Sequence, residues 1–323
     1  MVLGAGAPAW TAVPDGAAAP QSLLNDVAAA SPALAWAVGQ TQDHPLVARW
    51  DGAAWAGVPL GRPAAAVGAG LLGIDVADGS AIAVGGAYDR VAGSEIPLLR
   101  HWDGTRWVAV DLDGGHVLTG VVMLSATEAW AVGHGAGGPV ALHWAAGRWS
   151  TAVLPPLRGS RLLAVAATSP RDLWAVGAAD RAGLILHYDG RHWSRVGSPA
   201  TAPLTDVVAL SRSEAWAVDG HGALRWNGRA WRRMKTAEIT SANTLSALSP
   251  SDIWVGGGAG ELAHFDGRSW TRVGSPAPLR DTAVWLGSAS VPPGTVWMVG
   301  SRQWAGGPVP AARHTVAADS GDA

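Results

Sequence analysis

Apolar residues fall in short runs along this chain, four to seven positions each, rich in Val, Ala, Leu and Trp and separated by Gly, Pro, Ser and Asp. That pattern predicts short strands joined by turns, and no segment carries a helical period of useful length. The runs also repeat. Aligned on Ala-Trp-Ala-Val-Gly, copies stand at Trp36, Trp130, Trp174, Trp216, Trp254 and Trp297, with Ile82 in the equivalent place of the second copy. A short apolar segment precedes each, as in Leu24-Asn25-Asp26-Val27, Leu118-Thr119-Gly120-Val121 and Leu204-Thr205-Asp206-Val207. Downstream comes Leu-x-His-Trp-Asp-Gly-x-x-Trp, clearest at His101-Trp102-Asp103-Gly104-Thr105-Arg106-Trp107. Its second Trp recurs at Trp55, Trp107, Trp149, Trp193, Trp231 and Trp270.

Each unit reads as four antiparallel strands. Ser31-Pro32, Ser169-Pro170 and Ser249-Pro250 turn the first strand into the second. Asp51-Gly52, Asp103-Gly104, Asp189-Gly190, Asn227-Gly228 and Asp266-Gly267 turn the third into the fourth, and Ala146-Gly147 does so in the third unit. A four-stranded unit recurring about every forty residues predicts an all-β, seven-bladed β-propeller. Its blades fall near 23–59, 70–112, 118–155, 162–199, 204–236, 242–276 and 281–316, forming one domain over 1–316, with 317–323 expected to be a disordered tail. The seventh unit lacks its terminal Trp strand, and Ala9-Trp10-Thr11-Ala12-Val13-Pro14 matches the missing piece. The N-terminal segment (8–14) is therefore expected to close the last blade as its outer strand, leaving no open edge.

Composition sharpens this. The chain holds 19 Trp against 2 Tyr and 1 Phe, as expected when one structural solution is reused. Net charge is −2, without the basic stripe that nucleic-acid binding needs. Absence of Cys removes disulfides, thiolate metal sites and Cys nucleophiles. No signal peptide and no apolar stretch of membrane-spanning length is read, so a cytoplasmic protein without membrane partners is expected.

The unit Leu-x-x-Val … Trp-Ala-Val-Gly … Leu-x-His-Trp-Asp-Gly-x-x-Trp resembles tectonin-type propeller repeats and, more loosely, WD-, kelch- and Asp-box-type propellers. The resemblance covers nearly the whole chain and implies the fold. Tectonin-like propellers are often lectins that hold glycans between blades, so it also implies carbohydrate binding. Of the Asp-box pattern Ser-x-Asp-x-Gly-x-x-Trp, only the turn and the Trp survive. The Cys–Tyr crosslink of kelch-type copper oxidases has no counterpart here.

The face on which each first strand begins (the upper face) carries variable loops. The opposite, lower face carries the uniform Ser-Pro and Asp-Gly turns. Function is expected on the variable side. Blade two has Ile82 for Trp and the longest inter-strand loop, Gly86 to Glu95, with Tyr88, Asp89 and Arg90 as ligand candidates. Blade seven offers Trp304 and Arg302 in a loop where an indole can stack on a sugar, and Trp285 also lies outside the repeated positions. His44 and Asp180 complete the ligand-binding set, and Asp219, His221 and His134 are candidate proton-transfer residues on upper-face loops. First-strand polar residues Asn25, Asp26, Thr119, Thr205, Asp206, Asn243 and Thr282 are expected to face the channel, where Asp26 and Asp206 form an acid–base pair if they converge. His101, His143, His187 and His264 lie on third strands, too far from the axis to share an ion, so they read as structural and no metal or other cofactor is expected.

Two functional readings follow. The first is a recognition propeller: a lectin-like module, or one that docks a protein or small molecule on the upper face. The alternative is an enzyme, a lyase, cyclase or hydrolase, with one active site at the upper mouth of the channel. No catalytic signature stands out, so the binding reading leads.

Overall fold

The computed structural model describes residues 10–13, 22–41, 44–58, 60, 66–236, 239–276, 279–302 and 313–319. Its strands form seven four-stranded antiparallel sheets. Strand β1 (Trp10–Val13) comes first in the chain but belongs to the last sheet. Then follow β2–β5 (Ser22–Ser31, Leu34–Thr41, His44–Trp50, Trp55–Val58), β6–β9 (Ala66–Ala77, Ser80–Asp89, Ser94–Trp102, Trp107–Ala109) and β10–β13 (His116–Ser125, Glu128–Gly135, Gly138–Ala145, Arg148–Thr151). Next come β14–β17 (Ser160–Ser169, Asp172–Ala179, Ala182–Tyr188, Trp193–Val196) and β18–β21 (Leu204–Ser211, Glu214–Asp219, Gly222–Trp226, Trp231–Arg233). The last are β22–β25 (Ala242–Ser249, Asp252–Gly257, Leu262–Phe265, Trp270–Val273) and β26–β28 (Ala283–Val291, Thr295–Arg302, Arg313–Asp319). First strands touch in the cyclic order β2, β6, β10, β14, β18, β22, β26 and back to β2. This is an all-β propeller with four-stranded antiparallel blades around an axis lined by first strands.

Closure uses the N-terminal segment. β1 pairs antiparallel with β28, Trp10 opposite Asp319 and Val13 opposite Val316, so the last sheet runs β26-β27-β28-β1. Residues Ala317 to Asp319 are therefore strand, not tail, because β1 supplies their hydrogen-bonding partner.

Indole rings hold the blades together. A buried second-strand Trp in one blade meets the fourth-strand Trp of the next edge-on. Centroid distances are 5.2 Å for Trp36–Trp107, 5.6 Å for Trp130–Trp193, 5.2 Å for Trp174–Trp231, 5.9 Å for Trp216–Trp270, 5.3 Å for Trp254–Trp10 and 5.4 Å for Trp297–Trp55, with interplanar angles from 73° to 89°. The remaining interface packs Ile82 with Trp144 and Trp149. Trp285, out of pattern by sequence, takes the place that Leu24, Leu71 and Leu118 hold in other blades, each opposite the motif glycine of its own second strand. Room for it comes from Gly256, where other second strands carry Val: a β-carbon there would lie 2.9 Å from the Trp285 β-carbon.

Each first strand carries a β-bulge just after its first inward apolar residue, as between Leu118 and Gly120. The bulge presses a first-strand carbonyl against the glycine of Trp-Ala-Val-Gly: a β-carbon on Gly133 would sit 1.9 Å from the Val117 carbonyl oxygen.

Two turn expectations are corrected. The Asp-Gly connections are four-residue loops, Asp51 to Ala54 in blade one, in which the Asp51 carboxylate accepts the Ala53 and Ala54 amides at 2.9 Å while Gly52 takes φ +96°. Among the third-to-fourth-strand connections, the two-residue turn with positive φ at both positions is Ala146-Gly147 (51° and 77°), whose signal is weakest by sequence; Asp78-Gly79 (50° and 79°) forms the same turn between β6 and β7. Blade two has no long loop. β7 and β8 stay paired out to Asp89 and Ser94, and the Asp89 carboxylate closes the tip by accepting the Val91 and Ala92 amides at 2.7 and 3.0 Å.

Gly133→Ala is expected to cost about 3 kcal/mol, the upper range for overpacking. Gly137→Ala, where nothing lies within 4 Å, should change stability by under about 0.5 kcal/mol. Denaturant unfolding of both variants checks the pair.

Candidate functional site

Seven first strands around an axis present the inner edge of every sheet to the channel. An edge strand carries N–H and C=O groups with no ladder partner, and each needs a partner when buried. Side chains supply several. Asp26 accepts the amides of Val27 (2.8 Å) and, across the blade boundary, Ile74 (2.9 Å). Asp75 does the same with Val76 (2.8 Å) and Met123 (2.7 Å). Asp206 takes Val207 (2.8 Å), Leu245 (2.9 Å) and the Thr244 hydroxyl (2.9 Å). The bulge residues work in the opposite sense, donating to the next blade's carbonyl: Asn25 to Leu71 at 2.8 Å, Thr119 to Leu162 at 2.9 Å, Asn243 to Trp285 at 3.2 Å.

The three carboxylates line an axial cavity of about 310 Å³ with Ser246, Ser288 and Ser290. Hydroxyls link its walls: Thr244 to Ser288 at 2.8 Å, and Ser290 to Ser246 at 2.7 Å. Burial pushes Asp75 and Asp206 up to about 6, against the pull of their amide bonds. Burial also raises Asp26, with the negative fields of Asp206 and Asp75 adding to it. Asp26 and Asp206 thus do share the channel. Asp75 joins them from two positions further along its strand, opposite Ile82, a register hidden by the sequence pattern. The lining runs from Asp26 to Ala29 and from Asp206 to Ala209, toward the first-to-second-strand turns. This polar cavity therefore belongs to the lower half of the axis, not to the upper mouth where the sequence places a pocket.

The other candidates lie apart. Asp219 is not a loop residue: it ends β19, is fully buried, and is clamped by Arg233 from β21 at 3.0 and 2.5 Å. His221 is exposed and gives only its backbone amide to Asp219 (2.9 Å). His134 is half-buried on β11 opposite Pro139, and its Nδ1 has no partner among the described residues. His44 is exposed at the start of β4. Tyr88, Asp89 and Arg90 sit together at the β7–β8 tip, with Tyr88 46% exposed. Arg302 ends β27, and Trp304 lies outside the described residues. These positions are spread over the blades. Within the described residues, the hydrogen bond that joins two upper-face residues of the set is the one from the His221 amide to Asp219.

The third-strand His residues have structural partners. His143 stacks on Trp130 (4.3 Å) and meets Glu128 at 3.2 Å; His187 packs on Trp174 (4.3 Å) and meets Asp172 at 2.6 Å; His264 stacks on Trp254 (4.3 Å) and meets Asp252 at 2.8 Å. Arg225 does likewise over Trp216 (5.3 Å), bidentate to Glu214 at 2.8 Å. His101 bonds Ser80 at 2.8 Å. The acid of this triplet stands two residues before the Trp, a spacing that is visible in the sequence once it is looked for.

Asp180 and Arg181 form the β15–β16 turn, on the rim of a cavity of about 660 Å³ between the upper-face segments of blade four. Arg158, Arg181 and Arg195 line it, and none of them has an ion-pair partner among the described residues. Asp180 is its one lining acid.

The sequence matches no protein-family model and no curated protein. Solved structures agree in fold. YCF48 bound to D1 peptide superposes with TM-score 0.68 at 13% identity, covering 99% of this chain and 97% of that one. The WD40 β-propeller domain of Doa1 gives 0.70 at 10% (97% and 98%), and virginiamycin B lyase from Staphylococcus aureus gives 0.68 at 11% (92% and 94%). The class defined by these likenesses is the β-propeller, a fold shared by a peptide-bound protein, a WD40 domain and a lyase. Among the described residues, no helix is long and apolar enough to cross a membrane.

The channel carboxylates make stability depend on pH. Asp206 binds its proton more tightly when folded (about 6) than when unfolded, at about 3.9. Its stabilising contribution is therefore complete below about pH 4 and is lost as pH rises to about 6. Asp206→Asn removes this titration. Wild type should lose about 2–3 kcal/mol relative to that variant between about pH 4 and pH 6.5, then run parallel to it. Denaturant unfolding across pH measures the difference, from which groups that do not feel Asp206 cancel, while Asp26 is raised less in the variant because the charge of Asp206 is gone.

Proposed function

We propose that this chain, as one closed ring of seven blades, is a docking propeller that holds an acidic segment of a protein partner on its upper face at blade four. The observation behind this reading is the cavity lined by Arg158, Arg181 and Arg195. Guanidinium groups without internal partners cost little to desolvate against an incoming carboxylate and form charge-assisted, bidentate hydrogen bonds with it. The site sits on a turn and on the segments that precede and follow a rigid sheet, where loop variation changes specificity without disturbing the core. YCF48, similar in fold, is bound to a peptide in its solved structure, which supports peptide docking as a use of this architecture.

The enzyme reading has less behind it. Asp26 and Asp206 are engaged with backbone amides, and Asp219 with Arg233. The glycan reading depends on Trp304, outside the described residues, and on Tyr88 at a hairpin tip.

Fluorescence anisotropy with labelled hexaglutamate and hexalysine tests the proposal. Hexaglutamate is expected to bind, more weakly as salt rises. The double variant Arg158→Glu/Arg181→Glu should weaken it by about tenfold or more, about 1.4 kcal/mol. Equal binding of both peptides by wild type, or undiminished binding by the double variant, overturns it.

A further inference from the structure

The blades contain a comparison within one molecule. In blade five, the Arg225 guanidinium lies over the Trp216 ring at 5.3 Å and is held bidentate by Glu214, two residues before that Trp. Blade one repeats the first half of this arrangement. Arg49 lies over Trp36 at 5.5 Å, in the same cross-strand register, Trp36 opposite Arg49 as Trp216 is opposite Arg225. The second half is missing, because the position two residues before Trp36 is Leu34. Among the described residues Arg49 has neither a hydrogen-bond nor an ion-pair partner, and it is exposed. Nearby Asp51 feels the charge of Arg49 without pairing with it and spends one carboxylate oxygen on the Ala53 and Ala54 amides, and Asp78 turns to the Ala126 amide of blade three at 3.2 Å.

The place of the absent carboxylate is open. A cavity of about 400 Å³ lies between blades one and two on the lower face, lined by Leu34, Trp36, Arg49, Ser80 and Trp102 among others, and by one acid, Asp78, whose carboxylate accepts the Ala126 amide. Its aromatic walls fit a methylene stem, and its single cation, already oriented by stacking, fits a carboxylate at the end of that stem. We infer that this pocket is a binding site for a glutamate side chain of a partner polypeptide, which completes from outside the Trp–Arg–carboxylate triplet that blade five builds from its own chain. The site faces away from the blade-four cavity and does not depend on it.

The test is an NMR titration of the full chain with a capped pentapeptide carrying one central glutamate, and with its glutamine counterpart. The Arg49 side-chain N–H and the Trp102 indole N–H are the reporters. The glutamate peptide is expected to shift both saturably, in the millimolar range, and the glutamine peptide to leave them in place. Leu34→Glu places the missing carboxylate in the chain, so it should abolish the response and raise the melting temperature by a few degrees. Arg49→Met keeps the stem over Trp36 and should also abolish binding, whereas Arg181→Glu should leave it intact. The inference is overturned if wild type fails to distinguish the two peptides, or if Leu34→Glu or Arg49→Met responds as wild type does.

Discussion

An edge-on contact between two indole rings, one on the second strand of a blade and one on the fourth strand of the next, is the interaction this fold depends on. A single four-stranded sheet has two faces to bury and cannot bury either alone. A Trp on each side of the boundary covers a large apolar area, and the T-shaped geometry adds about 0.5–1.5 kcal/mol per pair beyond that area. The same contact recurs around the ring, including Trp254 with Trp10, where the fourth-strand ring arrives from the other end of the chain. Closure is thus one more copy of the ordinary blade boundary. Ile82 marks the one boundary without a second-strand indole, and there Trp144 and Trp149 pack on an aliphatic side chain.

A closed ring hides its outer problem and keeps an inner one. The inner edges of all the sheets face a narrow channel, where their amides need acceptors. Asp26, Asp75 and Asp206 meet that need by bridging from their own strand to the next blade. The cost is electrostatic: carboxylates in one buried space are driven toward protonation. Acids with raised pKa values in a polar cavity resemble a catalytic site, yet here each has structural work holding blade to blade. The arginines of blades one and four are different, since Arg49, Arg158, Arg181 and Arg195 have no hydrogen-bond or ion-pair partner among the described residues. That contrast is why recognition, rather than chemistry, is the function proposed for this ring.

Repetition made much of the fold legible in advance. Trp36 and its equivalents, the Asp-Gly turns and the orphan strand around Trp10 define strands, blade boundaries and closure without coordinates. Sites were less legible, for physical reasons. Asp219 looked like a loop residue because it breaks a glycine pattern, but it is buried against Arg233, a partner that no local spacing reveals. Asp75 was hidden because it sits two positions beyond its counterparts Asp26 and Asp206, and only the bulged register shows that all of them reach the axis. The extended tip around Tyr88 read as a loop because Gly86 and Ala87 carry no strand signal, although pairing with Ile96 and Pro97 keeps them in the sheet.

The central claim is that interlocking indoles close the ring, and a double-mutant cycle on Trp10 and Trp254 tests it most directly. Trp10→Ala, Trp254→Ala and the double variant would each be unfolded in denaturant beside wild type. The account predicts a favourable coupling of about 0.5–1.5 kcal/mol between the two positions. Strictly additive losses would contradict it, because they would mean that the first strand of the chain does not meet blade six across the boundary that seals the propeller.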